Sequence, residues 1–208
     1  MEKIYFDETT FIWKTTLDIS HIKENVINEC IKIIEDFGEH PTDAYGLFTK
    51  ILDFNETFKV NTKIDEIINM GIILCVDLYN KPYNKINIDA WINVVRAENP
   101  KQHNFKKLNE IEMHSHTEIN KKNNKFIPNY TYVHYIQMPD NLEGKDGVLY
   151  IEGNGGIIYD ILPKENDIII MNANISHVPA SAKNSTKDRI VIAGNIGFEY
   201  IKKNKTLM

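Results

Sequence analysis

From Lys85 onward apolar and polar residues alternate almost one for one, whereas the chain before it follows a longer period. In Leu17 to Phe37 the apolar residues Ile22, Val26, Ile27, Cys30, Ile33 and Ile34 recur at steps of three and four, which predicts an amphipathic helix. Gly38 and Pro41 close it. Thr62 to Tyr79 repeats the pattern with Ile64, Ile67, Ile68, Ile72, Leu74 and Cys75, and a short strand, Ile4 to Thr10, precedes both helices. After Lys85 the period shortens to two. Asn87 to Ala97 puts Ile88, Ala90, Ile92 and Val94 on one side, and Tyr130 to Met138 is rich in aromatic and β-branched residues. Gly147 to Glu152, Ile157 to Leu162, Asp167 to Met171 and Arg189 to Phe198 add four short strands. Pro139-Asp140-Asn141, Gly153-Asn154-Gly155-Gly156 and Pro163-Lys164-Glu165-Asn166 are the turns between them. Many short strands at this spacing predict an antiparallel jelly roll, and the helices pack on one outer face of a sheet, giving an α+β fold. One domain is expected over 1–208, with a strand and support helices in 1–84 and the strand-rich core in 85–200.

Composition narrows the possibilities without naming a chemistry. A chain of 208 residues is long enough for one sizeable core. A formal charge of −5 argues against a general nucleic-acid binder, whose affinity needs clustered Lys and Arg. No apolar run approaches the ~18 residues of a membrane span, and MEKIYFDETTF lacks the basic-then-apolar order of a secretory signal. Cys30 and Cys75 sit in helix-like stretches, as buried thiols in a reducing compartment do. These features lead us to expect a soluble, cytoplasmic protein.

Candidate chemistry concentrates in Met113-His114-Ser115-His116-Thr117-Glu118-Ile119-Asn120. On a strand, His114, His116 and Glu118 share one face. Two imidazoles and one carboxylate around open coordination positions suit non-haem Fe(II). His116 and Glu118 supply two such ligands, and His177, in LPKENDIIIMNANISHVPAS, is the distant third. His114 creates a competing register in which His114, His116 and His177 form a three-histidine site. Arg189 follows His177 by twelve positions and is the only arginine besides Arg96. In a lysine-dominated chain it points to a task that needs a rigid fork, such as bidentate carboxylate binding. Tyr130, Tyr132 and His134 share one face of their strand, opposite Tyr135.

With those residues in view, Asn87 to Phe198 resembles the double-stranded β-helix core of the 2-oxoglutarate- and Fe(II)-dependent oxygenases, within them the prolyl-hydroxylase-like branch and its phage-encoded relatives. The resemblance rests on His116-x-Glu118, the strand Tyr132-Val133-His134-Tyr135-Ile136, the turn Pro163 to Asp167 leading to His177, and Arg189. It implies Fe(II) held by His116, Glu118 and His177. The co-substrate 2-oxoglutarate would chelate the metal, with its distal carboxylate on Arg189 and Tyr135. O2 would then be consumed with release of succinate and CO2 and hydroxylation of an unactivated C–H, ascorbate being supportive. The implied substrate is a peptidyl proline, another protein side chain or a small metabolite, in the host cytoplasm if the chain is phage-encoded.

The sequence departs from the family in three places. The acid is Glu118 rather than the usual Asp, and His114 competes for the metal. Val191 stands where a hydroxyl residue is common, which gives Tyr135 or Thr131 more of the carboxylate to hold. Glu98 to Glu112 is a polar loop that could cover the metal, and Asn93 in Trp91-Ile92-Asn93 either faces the pocket or caps a turn. Two other functions fit the same residues. One is a cupin-like dioxygenase using three histidines without 2-oxoglutarate, and the other is a non-catalytic jelly-roll module for sugar binding or virion assembly.

Overall fold

The strand Lys85–Val95 (β4) shows how the molecule divides into layers. Ile86, Ile88, Ala90, Ile92 and Val94 are buried in a core shared with the helices, while Trp91 and Asn93 on the other face line a cavity. In the computed structural model, residues 1–37, 44–53, 58–95, 97, 113–122, 126–180, 182 and 184–200 are described. Arg96, the 98–112 loop, His40 and His103 lie outside them.

Among the described residues, ten strands and three α-helices follow in the order β1 (Glu2–Tyr5), β2 (Phe11–Thr16), α1 (Lys23–Phe37), β3 (Ala44–Asp53), α2 (Lys63–Leu78), β4, α3 (His116–Lys122), β5 (Tyr130–Gln137), β6 (Leu149–Glu152), β7 (Ile158–Ile161), β8 (Asp167–Asn172), β9 (His177–Pro179) and β10 (Arg189–Glu199). The major sheet runs β1-β2-β8-β5-β10-β4-β3 and the minor sheet β7-β6-β9, every pairing antiparallel. Two facing sheets with helices on one outer surface make the expected α+β jelly roll.

The N-terminal segment departs from its sequence reading. The single strand expected over Ile4 to Thr10 is a turn flanked by two strands. Asp7 makes that turn by accepting from the backbone N–H groups of Thr9 and Thr10, at 2.8 and 2.6 Å. The helix starts at Lys23 rather than Leu17, and Leu17 N–H instead ties the chain to the Asn166 carbonyl, at 3.0 Å. β3 and β9 were not anticipated.

α1 and α2 lie against the major sheet. α2 starts at a capping box in which the Thr62 hydroxyl and Asp65 carboxylate satisfy each other's backbone. Glu29 of α1 accepts from Lys63 and Ile64 N–H at 3.2 and 3.0 Å, tying the two helices together. Helix and sheet approach closely at Tyr132. A Cβ on Gly71 of α2 would lie 2.5 Å from its ring, and one on Gly194 of β10 2.7 Å from it. Both positions need glycine to admit the ring. Cys30 and Cys75 are free thiols buried in this core. A second core, with Ile12, Ile169, Met171, Leu149, Ile151 and Val191, fills the space between the sheets.

Among the described residues, no helix is long and apolar enough to cross a membrane.

Candidate metal and anion site

His114, His116 and His177 converge between the sheets. Each offers a ring nitrogen within 4.8 Å of the others, and the ring centroids form a triangle with sides of 5.4, 5.1 and 5.1 Å. Backbone pairing brings the distant segments together: His177 N–H donates to the His114 carbonyl at 3.0 Å and His114 N–H to the His177 carbonyl at 3.4 Å. On its other side β9 pairs with β6, where His177 faces Ile151.

The strand expected through His114, His116 and Glu118 ends after this bridge. Ser115 accepts a hydrogen bond from Glu118 N–H at 3.3 Å, and the helix α3 begins at His116. Thr117 N–H donates to the Ala173 carbonyl at 3.0 Å, pinning the start of this helix beside the turn that leads to His177. Glu118 is therefore in the first helical turn, exposed, and outside the imidazole cluster. The run Ser115-x-x-Glu118 is the signature of a capped helix start and was the signal available in the sequence. Among the described residues, the fold brings the three imidazoles of His114, His116 and His177 within reach of one another.

The rings are held in forms suited to metal binding. His177 Nδ1 is 3.1 Å from the Ile175 carbonyl, so it donates there and leaves Nε2 free to accept. Trp91 stacks on His116 with ring centroids 5.2 Å apart. Burial, with the nearby His177 and His114, lowers the pKa of His116 to about 3. Burial also lowers that of His177 to about 4, against the pull of the Ile175 carbonyl and with a smaller push from His114. Both imidazoles are neutral at pH 7, and neutral imidazole is the ligating form.

The three histidines share a cavity of about 230 Å³ with Trp91, Asn93, Tyr135 and Arg189, closed by Val133, Leu149, Pro179, Val191 and Ala193. Among the described residues no carboxylate lines it. Arg189, buried at 7% exposure, donates to the Ala180 carbonyl at 3.2 Å and to Asn93 Oδ1 at 3.5 Å. Its Nε has no partner, and no carboxylate of the described residues pairs with it. Burial lowers its pKa while Tyr135 pulls in the other direction. Tyr135 is also buried, its phenol pushed up by burial and drawn back by the Arg189 charge. Thr131 does not reach the cavity. Its hydroxyl donates to Asn195 Oδ1 at 2.8 Å, and the Asn195 amide nitrogen lies 3.3 Å from His116 Nδ1. Sequence reasoning missed Asn195, which carries no local motif and acquires its place only from the pairing of β10 with β5.

No protein-family model matches the sequence, and no curated protein matches it. Solved structures do resemble the fold. A prolyl-4-hydroxylase from Pseudomonas putida superposes with a TM-score of 0.53 at 10% identity, covering 91% of this chain and 84% of that one. An oxidoreductase of the 2OG-Fe(II) oxygenase family from Burkholderia pseudomallei gives 0.51 at 11% identity, covering 88% and 84%. The protein IDO from Bacillus thuringiensis gives 0.50 at 12%, covering 90% and 94%. Similarity at this level of identity speaks for architecture. The chain has the double-stranded β-helix fold of the 2-oxoglutarate- and Fe(II)-dependent oxygenases, a prolyl-4-hydroxylase among them.

Proposed function

We propose that this protein is an Fe(II)- and 2-oxoglutarate-dependent dioxygenase in which a histidine takes the place of the usual acidic ligand. His114, His116 and His177 hold the ion, with His116 at the position two residues after the first histidine where the facial triad carries its carboxylate. The observation that carries the proposal is Arg189. A guanidinium buried without an anionic partner is unfavourable by several kcal/mol, and this one lines the same cavity as the three imidazoles. A diacid that meets the ion at one end and Arg189 at the other satisfies both. The donor set fits the ion: imidazole suits iron, and two of the rings are neutral by burial.

When bound, iron and 2-oxoglutarate supply the oxidising chemistry, splitting O2 so that one atom enters succinate, CO2 is released and the other atom hydroxylates a C–H bond. The chain's own residues do the positioning. The Ile175 carbonyl fixes the His177 ring, Trp91 backs His116, and Arg189 with Tyr135 grips the distal carboxylate. Val133, Leu149, Val191 and Ala193 give the cavity an apolar lining. Ordinary ligand sites begin at about 300 Å³, so a cavity of about 230 Å³ suits the small co-substrate, with the substrate presented at its mouth. That substrate is a peptidyl proline, another protein side chain or a small metabolite, and ascorbate sustains turnover by keeping the metal reduced.

Anaerobic loading with Fe(II) and 2-oxoglutarate tests the reading. The expected result is a weak visible charge-transfer band and, on admitting O2, slow succinate formation. A second reading, a cupin-like three-histidine dioxygenase without 2-oxoglutarate, is favoured by the position of Glu118 outside the cluster. It predicts stoichiometric iron with neither the band nor succinate. A non-catalytic jelly-roll module would bind no stoichiometric metal.

A further inference from the structure

Asn195 and Thr131 stand opposite each other on β10 and β5. Both are buried on the cavity side of the sheet, yet neither lines the cavity. Two polar side chains in such a place are unfavourable unless their hydrogen bonds are made. They are made in series, Thr131 to Asn195 at 2.8 Å and Asn195 to His116 Nδ1 at 3.3 Å. His177 has a backbone carbonyl to fix its tautomer, and this side-chain relay occupies the equivalent place beside His116.

An amide can present either end, since a half-turn exchanges its oxygen for its NH2, and a hydroxyl both donates and accepts. With the amide oxygen on Thr131, the NH2 donates to His116 Nδ1, which leaves the ring proton on Nε2. Ligation through Nε2 needs the reverse: the proton on Nδ1, donated to the amide oxygen, with the NH2 turned to the Thr131 oxygen.

We infer that Asn195, backed by Thr131, is a positioning pair that holds the His116 ring in whichever tautomer is present, with the amide turning over when the ion binds. A fixed acceptor would hold one tautomer only, whereas the Asn–Thr pair stabilises His116 both before and after loading. The inference rests on the proposed metal site, and the measurements below separate the two.

Co(II) serves as the probe, added anaerobically to the full chain, with affinity read by equilibrium dialysis and ligand geometry by the visible ligand-field bands. Asn195→Leu is expected to weaken Co(II) by about 10- to 100-fold and alter the bands, the range for loss of an outer-shell partner. Thr131→Val should weaken it less. Asn195→Asp is expected to bind at least as tightly as Asn195, because a carboxylate can only accept from Nδ1–H. If the side chain merely filled space, buried Asp would do at least as much harm as Leu, so equal losses in the two variants would overturn the inference. Wild-type affinity in Asn195→Leu would overturn it as well. In the Zn(II)-loaded protein, long-range 1H–15N correlations should place the His116 proton on Nδ1, and a proton on Nε2 would contradict the relay even if a variant fails to fold. Failure of the unaltered chain to bind Co(II) would remove the metal site itself, whereas normal binding with unaffected variants would remove only the relay.

Discussion

His116 and Glu118 are two residues apart and occupy opposite environments: His116 is 8% exposed inside the imidazole cluster, while Glu118 faces solvent in the first turn of α3. The helix start at Ser115 separates them, because a helix rotates its side chains by about 100° per residue where a strand would return the second one to the same face.

Glu118→Gln should therefore leave iron affinity within about twofold of the unaltered protein, while His114→Ala and His116→Ala should abolish stoichiometric binding. Equilibrium dialysis under anaerobic conditions reads all three. Loss of metal in Glu118→Gln with retention in His114→Ala would transfer the site to the other register.

His116→Asp is a gain test of the same arrangement. It rebuilds a two-histidine, one-carboxylate triad at the position where such a triad has its acid. Iron binding should persist, and the charge-transfer band with 2-oxoglutarate should shift as one ligand changes from neutral to anionic.

Arg189 makes a separable prediction about the co-substrate. In metal-loaded protein, 2-oxoglutarate at 100 times its Kd should stabilise by about 2.7 kcal/mol, which raises the Tm by roughly 5–10 °C for a chain of this size. Arg189→Met should keep the metal and lose most of this shift. It should also leave the ligand-free protein no less stable, since it removes a buried unpaired charge. Differential scanning fluorimetry with and without the diacid measures both effects.

Acid sensitivity follows from the buried imidazoles. His134 is fully buried among the helices with both ring nitrogens unpartnered, and burial lowers its pKa to about 4 despite the opposing pull of Asp167. A histidine whose folded pKa is depressed takes up its proton more readily when unfolded. Its contribution to stability is therefore present above about pH 6.5 and is lost as pH falls toward 4. Between pH 7.5 and pH 5 each such group should remove about 2 kcal/mol. His134→Leu should flatten the metal-free stability curve by about that amount and raise stability at pH 7.5. Urea denaturation at the two pH values checks the sign and the size.

Tyr132 offers a test of the layer packing. Its hydroxyl is buried without a partner, so Tyr132→Phe should be neutral or stabilising by up to about 1 kcal/mol. Gly71→Ala should cost about 1–3 kcal/mol by driving a methyl group into the ring. Chemical denaturation of the two variants gives opposite signs if the ring sits as described.

Strand alternation made much of this architecture legible before any coordinates. The split of β4 into two faces, and the opposition of Tyr135 to Tyr132 and His134, follow from period two alone, while the inward placement of Tyr135 came from the family resemblance. His177 was visible from its order and distance after the His116-x-Glu118 run, and Arg189 because arginine is scarce in this chain. Glu118 was read onto a strand because an alternating H-x-H-x-E run reads as one, while the four-residue helix-cap signal Ser115-x-x-Glu118 lay in the same letters. β3 and β9 lack a strong pattern and exist through their partners β4 and β6. Asn195 was illegible for a similar reason: its role is defined by which residue lies opposite it.

β10 carries Arg189, Val191, Ala193 and Asn195 at every second position, clamped between β4 and β5. A slip of one residue would turn all four outward together, swapping guanidinium and amide for isoleucine. The anion grip and the histidine support thus share a single ruler. They should be acquired in one event as that strand docks, and partial refolding should yield chains with both or with neither.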